Sequence, residues 1–176
     1  IDRSGYNPNE VEHAVFGNVI HTEPRDMYVS RVIALQAGLA KESAALTVNR
    51  LCGSGLQAIV SATQLLMLDD ASVALAGGVE VMSNSGHIIQ GFRWGTRMGD
   101  GNVHDMMLGA LHDPFGHGHM GITAENISDR YGISRDSQDQ FALTSQKRAS
   151  KAISDGLFKE QILPIEIKTR KGVNIF

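Results

Sequence analysis

The chain has 176 residues, and its composition and charge already exclude several classes of protein. Hydrophobic residues make up 42% and charged residues 20%, which is typical of a globular protein with a buried core. The net charge is −3 and no long basic run occurs, so nucleic-acid binding is disfavoured. No apolar stretch approaches the ~20 residues that cross a bilayer, so we expect no membrane partner. The single cysteine excludes an internal disulfide and favours a reducing compartment, which we predict to be the cytoplasm.

Strand-like and helix-like segments alternate in the first half of the chain. The spacing of apolar residues predicts, in order, a strand at 12–20, a helix at 28–37, a strand at 45–48, a helix over 56–67 and a strand at 72–76. Alternation of this kind favours parallel strands joined by crossover helices. We therefore predict an α/β fold.

The second half begins with a segment that shows no periodicity. Residues 84–121 are rich in glycine, histidine, methionine and aspartate, and the segment is too long for an ordinary connection, which favours a functional role. Helices are predicted at 122–131 and at 134–153, the latter with Ser134 as its N-cap, and a last strand at 162–168. The expected inner stripe of the longer helix contains Phe141, Ser145, Ala149 and Ala152.

Cys52 lies where the second predicted strand meets its helix. The partial positive charge of a helix start favours thiolate over thiol, and the neighbouring Gly53 and Gly55 carry no side chain that could block access to the sulfur. These features predict an exposed nucleophile. A lone cysteine is, however, often a small buried apolar residue, and the local pattern alone leaves that alternative open.

Residues 48–59 resemble the nucleophile segment of the thiolase family, which contains the acetyl-CoA acetyltransferases and the β-ketothiolases. Further segments at 76–83, 119–126, 134–139 and 155–158 resemble the family's glycine turn, its substrate loop, the helix that follows and the exit from that helix. They occur in the family's order across nearly the whole chain. The chain is therefore identified as a suspected thiolase.

The resemblance implies a layered αβαβα core and an inserted loop domain that covers the substrate. Residues 1–83 would form part of the N-terminal core domain with the nucleophile, and residues 84–176 would form the loop domain, which is incomplete here. Residues 16–26 are most similar to bacterial β-ketothiolases of broad chain-length range. Members of the family are dimers or tetramers, so a homodimer or a homotetramer is expected.

The resemblance also implies an acyltransferase mechanism. Cys52 would become acylated, with its backbone N–H donating to the developing oxyanion, and would pass the acyl group to coenzyme A or to an acetyl-CoA carbanion. His119 would lie beside the coenzyme A arm, Met120 would line the acyl pocket, and Leu111 would touch the pantetheine. The substrates would be coenzyme A thioesters, and no further cofactor is expected.

Four side chains, His112, Asp113, His117 and His119, lie within eight residues and raise the possibility of a metal site. The group contains no cysteine and no recognisable pair of ligands on a defined turn, which zinc sites usually have. We therefore predict no metal, and hydrogen-bonded or solvated loop positions for His112 and His117.

Three features of the thiolase active site are missing from these residues. No histidine precedes a proline, which excludes the family's Gly-His-Pro base; there is no second cysteine, and no Asn-Glu-Ala-Phe segment. We therefore expect an internal piece of about half an enzyme that does not catalyse thiolysis by itself. Two alternatives remain. The first is a non-catalytic module derived from a thiolase. The second is a different enzyme with a cysteine nucleophile, either a decarboxylating condensing enzyme or a hydrolase, although Arg50 stands where the hydrolase turn has glycine.

Overall fold

A parallel three-stranded sheet organises the first part of the chain in the computed structural model, which describes residues 1–176. The strands are β1 (His13–Gly17), β2 (Ala44–Val48) and β3 (Ala74–Gly78), in the spatial order β2-β1-β3. β1 lies in the centre, and its Val15 is paired with Leu46 on one side and Ala76 on the other. The predicted α/β class with parallel strands is confirmed.

One helix packs on each face of this sheet. Helix α1 (Val29–Gln36) follows a short 3-10 turn, and helix α2 (Ser54–Met67) follows β2. Successive residues of a strand point to opposite faces, and the central strand shows this directly. Ala14 packs in a cluster with Ala34 of α1, whereas Val15 packs with Ala58 of α2. Each face of β1 thus buries small apolar side chains against a different helix.

The segment without periodicity contains several short elements. Strands β4 (His87–Ile89) and β5 (Val103–Asp105) form an antiparallel pair, which helix α3 (Met106–Leu111) follows. Strands β6 (His112–Asp113) and β7 (Gly118–His119) form a second pair. These elements are too short to leave a periodic pattern in the sequence, which is why none was predicted.

Contacts divide the chain into two compact units, Ile1–Met120 and Gly121–Phe176. This division follows contact density, so the predicted domain boundary after residue 83, which follows family organisation, remains a prediction. None of the helices combines the length and the apolar content that a membrane span requires.

The second unit contains the two predicted helices and a terminal hairpin. Helix α4 (Met120–Tyr131) is followed by α5 (Arg135–Ser154), and β8 (Glu166–Thr169) pairs with β9 (Gly172–Ile175). Ser134 is the N-cap of α5, as predicted, because its hydroxyl accepts a hydrogen bond from the Ser137 N–H. The expected inner stripe of α5 is not buried in this chain, since the side chain of Phe141 is 79% exposed.

Candidate active site

The first unit contains a cavity of about 510 Å³ at the carboxyl ends of its parallel strands. Open α/β sheets bind their ligands at this edge, because the loops that leave neighbouring strands converge there. The lining comes from the loops after all three strands, from the start of α2 and from α3: Gly17, Val19, Ile20, Leu51, Cys52, Ser54, Gly55, Gly78, Val79, Glu80, Met82, Met107, Ala110 and Leu111. Most of these side chains are apolar, and Cys52 supplies the only thiol.

Cys52 is a free and exposed cysteine between the end of β2 and the start of α2. The predicted strand-to-helix position is therefore confirmed, and the alternative of a buried structural cysteine is wrong. The residue before it, Leu51, has φ +47° in the left-handed region, which is unusual for a residue with a side chain. Such a conformation costs about 1–3 kcal/mol and persists only where the surroundings enforce it.

Two polar side chains enforce the turn at Cys52. Asn49 Oδ1 accepts a hydrogen bond from the Leu51 N–H at 3.0 Å. Ser54 Oγ accepts from the Arg50 N–H at 2.8 Å and donates to the Leu51 carbonyl at 2.6 Å. Local hydrogen bonds of this kind are what make asparagine and serine frequent in turns. The backbone on the amino-terminal side of Cys52 is thus fixed from both of its ends.

A close approach between β1 and α2 brings the helix start onto the strand ends. A Cβ atom placed on Gly17 would lie 2.7 Å from the carbonyl carbon of Ser54, and one on Gly78 would lie 3.6 Å from the Cα of Gly55. By contrast, a Cβ on Gly55 itself would meet no atom within 4 Å. Gly17 is therefore the glycine that the close approach requires. Sequence analysis singled out Gly53 and Gly55 and missed Gly17, because this contact joins residues far apart in the chain.

A second feature missed by sequence analysis is the carboxylate of Glu80, in the loop after β3. It accepts hydrogen bonds from the N–H groups of Val19 and Ile20, each at 2.9 Å. The Asn18 amide donates to the same carboxylate at 3.4 Å and to the Val79 carbonyl at 2.9 Å. Glu80 thus connects the loop after β1 with the loop after β3, and both loops line the cavity.

The structure brings one of the three predicted substrate-binding residues to Cys52. Leu111 lines the same cavity as the thiol, whereas His119 and Met120 are not among the lining residues. His119 pairs with His112 across the β6–β7 ladder, and their rings stack edge to face with centroids 5.2 Å apart. The substrate-binding roles of Leu111, His119 and Met120 remain predictions.

The histidine-rich segment is arranged by local hydrogen bonds. His112 Nδ1 lies 2.7 Å from the Leu108 carbonyl, and the carboxylate of Asp113 accepts from the N–H groups of Phe115 and His117, each at 3.0 Å. In the structure, no group of three or more histidine, cysteine, aspartate or glutamate side chains is arranged to hold a metal ion. Asp113 closes the turn between β6 and β7 in this arrangement.

Comparison with known proteins agrees with this fold. The family model for the thiolase N-terminal domain matches residues 1–176. Beta-ketothiolase BktB of Cupriavidus necator is 57% identical over 170 residues, which are 97% of this chain and 43% of that protein. The chain therefore belongs to the thiolase family, and it spans less than half the length of this relative.

Solved thiolase structures have the same fold over nearly all of the chain. The acetyl-CoA acetyltransferase of Bacillus anthracis superposes with a TM-score of 0.91 at 40% identity, over 99% of this chain and 44% of that one. Human mitochondrial 3-ketoacyl-CoA thiolase in complex with CoA gives a TM-score of 0.89 at 34% identity, again over 99% and 44%. The described elements thus correspond to the fold of these enzymes.

Proposed function

We propose that the protein carrying this chain is an acyltransferase that moves acyl groups between coenzyme A thioesters through an acyl-enzyme at Cys52. The reaction would be thiolysis of a 3-ketoacyl-CoA or, in reverse, condensation with acetyl-CoA. The observation that carries this proposal is an exposed thiol on an enforced left-handed turn, lining a cavity at the ends of parallel strands. Membership of the thiolase family supports it, as does the name of the relative that is 57% identical.

In thiolysis, the Cys52 thiolate would attack the keto carbon of a 3-ketoacyl-CoA. The bond between the α and keto carbons then breaks, and its electron pair leaves with the acetyl-CoA fragment, which takes up a proton. The acyl group stays on sulfur as a thioester until the thiol of coenzyme A attacks it. Cysteine suits both steps because sulfur is a strong nucleophile as the thiolate and also a good leaving group.

The cavity has a suitable size and lining for this class of substrate. A volume of about 510 Å³ falls within the range of small-molecule pockets, which is roughly 300–1,000 Å³. Val19, Ile20, Met82, Met107 and Leu111 supply apolar surface, which suits an acyl chain or the pantetheine arm better than a charged group. We propose that Leu111 contacts the pantetheine, with His119 beside the coenzyme A arm and Met120 at the acyl end.

The remaining catalytic groups would come from outside these residues. The family resemblance implies that a second cysteine and a histidine followed by proline move the protons. This chain contains only one cysteine and no histidine followed by proline. We propose that a base and a second proton donor are supplied by further parts of the protein, with no metal and no cofactor besides coenzyme A. A homodimeric or homotetrameric cytoplasmic enzyme belongs to the same proposal.

The acyl-enzyme is the direct test of this function. The protein carrying residues 1–176 is mixed with acetyl-CoA, and its intact mass is measured after rapid acid quenching. We expect a gain of one acetyl group, located on Cys52 by peptide mapping and absent from Cys52→Ala. Thiolysis of acetoacetyl-CoA should fall to background in Cys52→Ala, with iodoacetamide alkylation of Cys52 giving the same loss in the wild type. Full activity in Cys52→Ala would contradict the nucleophile assignment, and a fully inert wild type would favour a non-catalytic module.

A further inference from the structure

We propose that Glu80 is a positioning residue that fixes the apolar wall of the Cys52 cavity. It would do so by joining the loop after β1 to the loop after β3. Val19 and Ile20 supply this wall from the first loop, and Glu80 follows Val79 in the second. One part of the inference rests on the proposed function: if the cavity binds an acyl-CoA, Glu80 also influences which acyl chains the enzyme accepts.

The hydrogen bonds at Glu80 are divided between its two oxygens. Oε2 accepts from the Val19 N–H and Oε1 accepts from the Ile20 N–H, both at 2.9 Å. A third donor, the side-chain amide of Asn18, reaches Oε1 at 3.4 Å. No ion pair of the structure includes Glu80, so its protein partners are these N–H donors. Hydrogen bonds to an ionised acceptor are about twice as strong as those between neutral groups.

These contacts lie beyond the end of the sheet and not within it. The ladder continues through the Asn18 N–H to the Val48 carbonyl and the Val79 N–H to the Gly17 carbonyl, and neither bond involves Glu80. Past that point, the N–H groups of Val19 and Ile20 turn to the carboxylate instead of a strand. Removing the carboxylate therefore leaves the sheet intact and releases only the loop that forms the cavity wall.

Asn18 also joins the loop after β1 to the loop after β3, through its side chain, and it is nearly inaccessible to solvent. It is 5% exposed, and its amide nitrogen bridges the Val79 carbonyl and Glu80. Ile20, which is 7% exposed, anchors the far end of the loop in the protein interior. Val19 lies between these two buried residues, and its N–H binds Glu80 Oε2.

Glu80→Gln is the sharpest variant because it keeps size and shape. A glutamine has a single acceptor oxygen, and its NH₂ group would face one of two backbone N–H groups that now bind separate oxygens. Glu42→Gln is the matched control: Glu42 lies just before β2, at the opposite end of the sheet, and its only ion-pair partner is Lys41. Both changes remove one negative charge, but only the first touches the cavity wall.

The shape of the cavity is tested by measuring the rates at which N-ethylmaleimide and N-hexylmaleimide alkylate Cys52. A loosened wall should reduce the ratio of the hexyl to the ethyl alkylation rate in Glu80→Gln by about fivefold, which is the typical net effect of losing one hydrogen bond. The KM for a long-chain 3-ketoacyl-CoA should rise by a similar factor, with kcat changing less than about twofold, since uniform binding is what is lost. Glu42→Gln should match the wild type in both measurements.

An unchanged reagent ratio in Glu80→Gln would overturn the proposal, as would equal falls in both alkylation rates together with a lower Tm, which would indicate a purely structural role. Glu80→Asp replaces Glu80→Gln if the latter does not fold, since it keeps both oxygens but is one methylene too short to reach both amides. The same shift is then expected. Alkylation needs only the thiol and the cavity, so the inference is tested even if acetyl-CoA leaves no acyl group on Cys52. That result would refute the proposed function alone.

Discussion

The contact between Gly17 and Ser54 makes a specific prediction about how Cys52, the proposed nucleophile, is held in place. In Gly17→Ala, the new methyl group would lie 2.7 Å from the carbonyl carbon of Ser54 and 2.8 Å from its Cβ and its carbonyl oxygen. Real Cβ contacts are not this short, and two of the three atoms belong to the backbone. The start of α2 must therefore move away from the end of β1.

The destabilisation caused by Gly17→Ala can be estimated. Overpacking a tightly packed site costs about 1–3 kcal/mol, and here the displaced atoms are backbone that cannot rotate aside. Ser54 also holds the turn at Cys52, since its hydroxyl bonds both the Arg50 N–H and the Leu51 carbonyl. The thiol should therefore shift with the helix, and a displacement of about 1 Å is enough to reduce the rate of a reaction roughly 100-fold.

Thermal unfolding and the rate of Cys52 acylation by acetyl-CoA together test this reasoning. Gly86→Ala is the matched control, because a Cβ there meets no atom within 4 Å and Gly86 has no positive φ. We expect Gly17→Ala to lower both stability and acylation rate, with Gly86→Ala close to wild type. If Gly17→Ala unfolds at the wild-type temperature and is acylated at the wild-type rate, the close approach does not position the Cys52 thiol.

Two further predictions concern the turn before Cys52 and the 3-10 turn before α1. At Leu51, a β-branched residue tolerates a left-handed backbone less well than leucine does, so Leu51→Val should lower the free energy of unfolding by about 1–2 kcal/mol, whereas Leu51→Gly should not lower it, as measured by urea denaturation. At Asp26, hydrogen bonds from the Thr22 N–H and hydroxyl lower the pKa of the carboxyl, with smaller contributions from the Glu23 N–H and the charge of His21. Because the folded pKa lies below the unfolded one, this stabilisation is present above the unfolded pKa and is lost as the pH falls through the folded value. An NMR titration should find Asp26 below the ordinary aspartate range, and Asp26→Asn should abolish this part of the acid dependence; an ordinary pKa would contradict the assigned hydrogen bonds.

Local signals were sufficient to predict the position of Cys52 between a strand and a helix. The strand before Cys52 and the helix after it each have a clear period, and a junction between two such segments is defined by a few neighbouring residues. The same kind of signal predicted the Ser134 N-cap, which the structure contains. Both features depend on contacts within a few residues along the chain, which sequence patterns describe well.

Features that depend on distant residues were not predictable in this way. The first strand was expected at 12–20 but ends at Gly17, because the N–H groups of Val19 and Ile20 bind Glu80 some 60 residues later. The need for glycine at position 17 likewise arises from an α2 residue 37 positions away. The period of α5 predicted a stripe that contains Phe141, but a period identifies a face without identifying what covers it.

The strand order explains why one cavity can combine these separate contributions. With β1 between β2 and β3, the loop after β1 lies next to both the turn that holds Cys52 and the loop that holds Glu80. Gly17 lets the start of α2 approach the sheet, and Glu80 fixes the residues that follow Gly17. The end of the central strand therefore takes part in positioning two parts of the cavity. A steric contact at Gly17 positions the thiol, and hydrogen bonds to the residues after Gly17 position the apolar wall. We expect the loss of the two contacts to differ in effect: loss of the first should displace the Cys52 sulfur, whereas loss of the second should change only which groups the cavity accepts.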